Sequence, residues 1–339
     1  MPAMTAHTLP LLKRILPVTL LLALLLVICA FLGLSIGSTG QSLGEVLALF
    51  SGHGDPDSTL ANIVWRIRLP RVVLASLAGA TLSLGGLVFQ AILRNPLAEP
   101  YILGISGGSA IGAIIGILLG LPRFPGVAFF AFAGSMSTLF LLLVIASVKL
   151  EMKQDSLILA GVMVNAFCSS VIMFLISLTQ DSRLHNILFW LMGDLSMSDT
   201  NQILTLGAAL LPCFALLFLL ARPMNLLLMG EELAANMGLN VRFVSIALMV
   251  ITSFMVSAVV CQSGLLGFVG LVMPHLLRLL FGPDHRLLVP SCILGGGAYL
   301  VLCDLLARSL PAQGEMPVGV ITAMIGAPLF IFLLQRSRR

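Results

Sequence analysis

From Val72 to Leu93 the chain reads VVLASLAGATLSLGGLVFQAIL, an unbroken run without a charge. A run of about 20 such residues is what a helix needs to cross a bilayer, where every backbone polar group must be satisfied within the segment. Ten predominantly apolar spans, some with charges at or near their ends, stand near 14–38, 63–93, 104–120, 124–148, 155–179, 200–221, 241–263, 267–281, 286–308 and 317–335. The expected fold class is therefore all-α, a polytopic membrane protein with about ten transmembrane helices in one transmembrane domain over 1–339. Charged residues are only 9% of the chain and mean hydropathy is +1.10, far from a soluble domain. No nucleic-acid partner is expected.

The first run follows Lys13 and Arg14 but is long and lacks a small-residue cleavage site, so it reads as a retained helix. All six cysteines fall in or at the ends of apolar runs, with no CxxC spacing and no histidine cluster. They read as packing residues, and no metal site is expected.

Cations set the orientation. With an even number of spans both termini share a side, and 12 of the 18 lysines and arginines fall on it, against 6 opposite. The positive-inside rule then puts both termini in the cytoplasm. Arg66, Arg68 and Arg71 of WRIRLPR face outward, against that bias, and need an explanation of their own.

The longest stretches without apolar character are 39–62, 180–199 and 222–240, too short for a nucleotide-binding domain. No GxxxxGK[ST] occurs either, since none of the three lysines follows a glycine. Glycine and proline punctuate many spans, as in GATLSLGG (79–86), GGG (295–297) and GAP (326–328). Small residues let helices approach closely, and proline frees carbonyls that neighbours or cavity water must satisfy. GLVFQAILR (86–94) and GLVMPHLLR (270–278) share five residues in register, a local echo of the kind duplicated transporters carry.

Two segments on the cytoplasmic side carry local signals. In RPMNLLLMGEELAANMGLNVR (222–242), Gly230 can start and Gly238 can end a short helix. Its first turn holds Glu231 and Glu232, while Leu233, Ala234, Met237 and Leu239 give it an apolar side. Such a helix either links two spans or offers a docking surface. RNPLAEP (94–100) has two prolines and reads as a fixed turn.

GISG (104–107) fits the GxSG pattern of intramembrane serine proteases, with His275 as a conceivable base for Ser106. Glycines beside serine are equally common in helix interfaces. Asp304 and Arg308 lie four apart and can pair on one helix face, with Glu315 on the following outer loop. An ion-coupled carrier would place carboxylates near the midplane, and the middle of most spans has none.

Four stretches together carry a resemblance: RIRLPRVVLASLAGATLSLGGLVFQAILRNPLAEPYILGISGGSAIGA, RPMNLLLMGEELAANMGL, GLLGFVGLVMPHLLRLLFGPDHRLLVP and GEMPVGVITAMIGAPLFIFLLQR. They closely resemble the FecCD-type permeases of bacterial ABC importers for iron chelates, haem and cobalamin. The resemblance runs from about residue 60 to the C-terminus. It implies a cobalamin-importer-like permease fold in the inner membrane, working as a homodimer within membrane lipid. Two cytoplasmic ATP-binding subunits and a periplasmic substrate-binding protein are its implied partners. It implies no cofactor and no catalytic residue, because ATP hydrolysis belongs to a partner chain.

Site roles follow residue by residue. Arg68, Arg71 and Arg308 match the arginines that receive acidic groups of the binding protein, whereas Arg66 has no reliable counterpart. The coupling segment is about 224–240, with Glu231, Ala235, Gly238 and Leu239 as ATPase contacts. Asn95 and Leu97 match the cytoplasmic gate. A second gate element before the fifth span, where EMKQDS offers only Ser156 of the small hydroxyl type, stays unassigned. Iron chelate is the first expected cargo and cobalamin the second. An ion-coupled secondary transporter or intramembrane hydrolase is the alternative from another class. Reversing Arg68 and Arg71 to Glu is expected to abolish docking while sparing the fold.

Overall fold

The computed structural model describes residues 11–36, 43–51, 58–148, 154–179, 181–196, 199–311 and 314–337, and among them the regular structure is entirely helical. Residues 151–153 of the unassigned gate stretch lie outside the described residues. The chain opens with α1 (Leu11–Ser35) and the short α2 (Leu43–Phe50). Next, α3 (Thr59–Ile63) runs through a π-helical turn at Val64–Arg68 into α4 (Leu69–Ile92). A hairpin of α5 (Ile105–Leu118) and α6 (Ala128–Val148) follows, then α7 (Gln154–Ser177) and α8 (Asp181–Leu191). After α9 (Thr200–Leu219) come the short α10 (Ala221–Leu227) and α11 (Glu231–Asn236). The last four are α12 (Val241–Ser263), α13 (Val269–Phe281), α14 (His285–Ser309) and α15 (Val318–Ser337).

By length and composition, seven described helices can cross a membrane: Lys13–Ser35, Thr59–Ile92, Arg123–Val144, Ile158–Ser177, Thr200–Leu219, Val241–Ser263 and His285–Ser309. Three more, Ile105–Leu118, Val269–Phe281 and Val318–Leu333, are apolar but shorter. The ten apolar runs thus fall on ten helices, of which seven reach spanning length. The shortfall has a physical cause at α5 and α13. Each begins inside the bundle, after a left-handed residue, Gly104 at φ +78° and Phe268 at φ +67°.

Helix α4 is the most buried span, and α1 and α7 the least. Its small residues explain the position. A Cβ on Gly79 would collide with the carbonyl oxygen of Gly296 in α14, and one on Gly86 with that of Gly270 in α13. In lipid, where burial of apolar surface drives little, backbone contact of this kind supplies packing that larger side chains would prevent. The echoed segments 86–94 and 270–278 therefore touch through their first glycines. Gln90 continues the contact, with Nε2 donating to Gly270 O at 3.4 Å and Oε1 accepting from Arg278 Nη2 at 3.0 Å.

Pro70 shapes the entry to α4. Inside a continuous helix its ring would strike the carbonyl four residues back, at Arg66, and it offers no N–H. The backbone widens into the π turn over Val64–Arg68 instead. This separates the three arginines read together in the sequence: Arg66 is exposed, while Arg68 and Arg71 turn inward.

The chain after α4 does not simply turn and cross back. Following Asn95 it re-enters the bundle, and Pro100 packs against Gly85 and Gly270. Gly85 lies two helical turns, about 10 Å, inside the end of α4. At this depth Tyr101 Oη accepts the N–H of Leu266 at 3.1 Å, and Glu99 is hydrogen-bonded to the backbone of Phe268. The sequence placed Glu99 in a cytoplasmic turn at 94–100, whereas the structure draws it into the bundle.

Candidate functional site: two polar ends of the bundle

At the end where α4 begins, three arginines and two carboxylates share one network, buried except at Glu315. Asp304, with no exposed surface, gives one oxygen to each of two arginines: Oδ1 accepts from Arg71 Nε at 2.7 Å and Oδ2 from Arg308 Nε at 3.0 Å. The pairing of Asp304 with Arg308 expected from their spacing is present. Arg71 reaches further, placing Nη1 2.5 Å from Glu315 Oε2 on the loop before α15.

The same arginines close the end of α1, whose last carbonyls have no partner within their own helix. Arg308 Nη2 donates to Gly33 O at 3.1 Å, and Arg68 Nη1 to Leu34 O at 2.8 Å and Ser35 O at 3.2 Å. Cations at a helix C-terminus also meet the negative end of its dipole. Arg68, Arg71 and Arg308 are each only 4–5% exposed. The structure thus brings together all three arginines named from the sequence, and it holds them buried on the chain's own oxygens. Charge reversal at Arg71 would set a third carboxylate beside Asp304 and Glu315, so sparing of the fold is not expected on this geometry.

At the opposite end, α11 forms between two left-handed glycines, Gly230 at φ +109° and Gly238 at φ +84°. Gly238 N donates to Ala235 O and Leu239 N to Ala234 O, the paired bonds that close a helix by a Schellman turn. The apolar side read from the sequence splits. Ala234 is buried and Leu239 packs inward, whereas Leu233 and Met237 are exposed one turn apart, with Ala235 beside them. Glu231 and Glu232 are also exposed.

The Asn95 turn lies next to this helix. Asn95 Oδ1 accepts the N–H of Leu97 at 2.9 Å and its carbonyl that of Ala98 at 3.0 Å, so side chain and backbone fix the turn together. Arg94, in the left-handed region at φ +44°, directs Nη2 to Glu231 Oε1 at 3.3 Å. Sequence reasoning placed Asn95, Leu97 and Glu231 separately and missed Arg94, which joins them. The signal available was only an unassigned arginine beside the turn.

Two further sequence readings are resolved by position. His275 is buried against Phe330 of α15, with ring centroids 5.7 Å apart, and neither ring nitrogen has a partner among the described residues. No hydrogen bond among the described residues joins it to Ser106. All six cysteines are free, and five are buried. Among the described residues no group of His, Cys, Asp and Glu could hold a metal ion.

A cavity of about 500 Å³ opens beside α8 and the 119–127 connection, lined by Arg123, Arg183, His185, Trp190 and Asp194 among others. Arg123 Nη1 meets Asp194 Oδ2 at 2.6 Å, and Ser196 N donates to Oδ1 at 2.8 Å. Burial works against ionisation of Asp194. The Arg123 guanidinium and the Ser196 bonds outweigh it and hold the carboxyl below its ordinary value.

Comparison with known proteins places this architecture. The pattern of the FecCD transport family matches residues 25–336. The uncharacterized ABC transporter permease protein YvrB of Bacillus subtilis is 38% identical over 93% of this chain and 92% of its own length. The vitamin B12 import system permease protein BtuC of Citrobacter koseri is 41% identical over 88% of this chain and 92% of its own. Among solved structures, a metal-chelate type ABC transporter in an inward-facing conformation matches with a TM-score of 0.84 and 33% identity, covering 94% of this chain and 99% of that one. PsaBC from Streptococcus pneumoniae shares the fold alone, with a TM-score of 0.58 at 18% identity. The chain belongs to the FecCD transport family and is an ABC transporter permease.

Proposed function

We propose that this permease carries a metal chelate across the bacterial inner membrane, driven by two separate ATP-binding subunits and supplied by a periplasmic binding protein. Both termini are cytoplasmic in this reading, and ten helices cross or enter the membrane. A second copy completes the pathway, since α7 presents Leu159, Met163, Phe167 and Phe174 outward as an apolar face suited to a partner helix or lipid. The observation that carries the reading is the Glu231 end. A short helix exposes Leu233 and Met237 for an ATPase to hold, and Arg94 ties that helix to the Asn95 turn.

In this cycle Glu231, Ala235, Gly238 and Leu239 form the ATPase contact, and Asn95 with Leu97 forms the inner gate. Movement of α11 reaches the gate through Arg94 and swings the re-entrant segment that Pro100 anchors. Arg68, Arg71 and Arg308 receive acidic groups of the binding protein. The chain itself makes and breaks no covalent bond.

Ferric siderophore or haem is the first cargo reading. Cobalamin is the second, supported by 38–41% identity to permeases named for vitamin B12 import. Uptake of radiolabelled ferric siderophore and radiolabelled cobalamin into proteoliposomes, with the ATPase and binding protein from adjoining reading frames, tests both. ATP-dependent accumulation of one is expected. Uptake that needs no ATPase but follows an imposed ion gradient would overturn the proposal in favour of a secondary carrier.

A further inference from the structure

The arginine network poses a problem for any acidic partner. Its three cations are nearly inaccessible, and the carboxylates that meet Arg71 and Arg308 come from the same chain. We propose that Glu315 is a built-in occupant of this cluster, which a carboxylate of the incoming binding protein displaces rather than joins. The inference rests on the docking role assigned above to Arg68, Arg71 and Arg308.

The two carboxylates differ in a way that singles out Glu315. Asp304 is fully buried on α14 and divided between two guanidinium groups, so it cannot leave without stranding both. Glu315 is 45% exposed, and its ion pair among the described residues is with the outer Nη1 of Arg71. Its backbone leaves room for a swing on the N-terminal side, since Gly314 precedes it at φ +75° with no described atom within 4 Å of where a side chain would stand, while Pro317 fixes the chain after it. The pivot is held by Met316, whose N–H donates to Ala307 O at 3.2 Å.

Charge balance favours exchange over addition. Arg71 and Arg308 against Asp304 and Glu315 leave no net charge among these four groups. Departure of Glu315 leaves one uncompensated positive charge, and one incoming carboxylate restores the balance. A partner that added its carboxylate while Glu315 stayed would have to reach arginines that are only 4–5% exposed. Exchange also bounds affinity, because the partner gains only the difference between two similar charge-assisted contacts.

Arginine labelling tests the inference on the purified full-length chain in detergent. Phenylglyoxal modification of each arginine is followed by mass spectrometry, with Arg278, held by Gln90 at the far end, as a fold control. Arg71 is expected to label slowly, and about tenfold faster or more in E315A, the effect of losing one charge-assisted contact, with Arg278 unchanged. E315Q, which keeps the shape and removes the charge, gives the same direction if E315A fails to fold. Poly-L-glutamate, as a soluble carboxylate probe, is expected to protect Arg71 more strongly in either variant than in the parent chain. An Arg71 rate unchanged in both variants overturns the capping role of Glu315. A faster rate without protection overturns the exchange, and it does so by removing the docking role beneath it.

Discussion

At one end of the bundle Asp304, without exposed surface, holds Arg71 and Arg308, the second of which also closes the last turn of α1; at the other, Arg94 and Glu231 meet at 3.3 Å in the open. Both ends join segments more than a hundred residues apart, yet they do so by opposite means. A buried network is costly to break, because removal of one member strands the others away from water. An exposed pair is worth little to the fold and can part and re-form cheaply. The Asp304 core of the Arg71 end is therefore a fixed joint, with Glu315 at its exposed rim, and the Glu231 end is one the fold permits to move. That division suits the cycle proposed above, in which the energy arrives at one face only.

The largest effect should come from breaking the joint. Asp304→Ala leaves Arg71 and Arg308 without their shared anion and is expected to cost about 3–5 kcal/mol, read as loss of thermal stability in detergent. A stability within 1 kcal/mol of the parent chain, an order-of-magnitude threshold for an exposed pair, would erase the contrast between the ends. Next comes Gly86→Ala, which puts a methyl group into the Gly270 carbonyl at the α4–α13 crossing. It should cost about 1–3 kcal/mol, whereas the same change at Gly282, with nothing within 4 Å among the described residues, should act through its left-handed backbone alone.

Arg94→Ala sharpens the comparison from the other side. It should change stability by less than about 1 kcal/mol while uncoupling ATP hydrolysis from uptake in proteoliposomes. Equal losses of stability and transport would show that this contact, too, is a joint. The smallest effect is one of acidity. Asp194 has its folded-state pKa depressed, so its stabilising contribution is complete above the unfolded carboxylate range, about pH 4. It is lost as pH falls through the folded value. Asp194→Asn should flatten that part of the acid stability profile and leave neutral pH nearly unchanged.

Periodicity and length made the helices legible, since a run such as 72–93 has no other fold in lipid. The pairing of Asp304 with Arg308 was legible too, because four residues is one helical turn. What escaped was whatever the chain brings together from far apart. Nothing near Arg71 in the sequence announces Glu315, and nothing near Glu231 announces Arg94. Re-entry after Asn95 escaped for a related reason: the apolar run at 104–120 looks long enough to span, while its helix starts only after Pro100 has already reached Gly85. Exposure escaped as well. Three cations in seven residues read as one surface patch, and a single proline sorted them between solvent and interior.

The widened turn at Val64–Arg68 has a geometric corollary. An extra residue in one turn rotates everything before it by about 100° relative to a regular helix, so Pro70 acts as a phase setter for the α3 segment. Trp65, whose ring meets Phe50 edge-on at 5.3 Å, owes its azimuth to that offset. Replacing Pro70 with a residue that tolerates ordinary winding would let the offset relax and point the indole away from α2, unlatching that short helix from the start of α4.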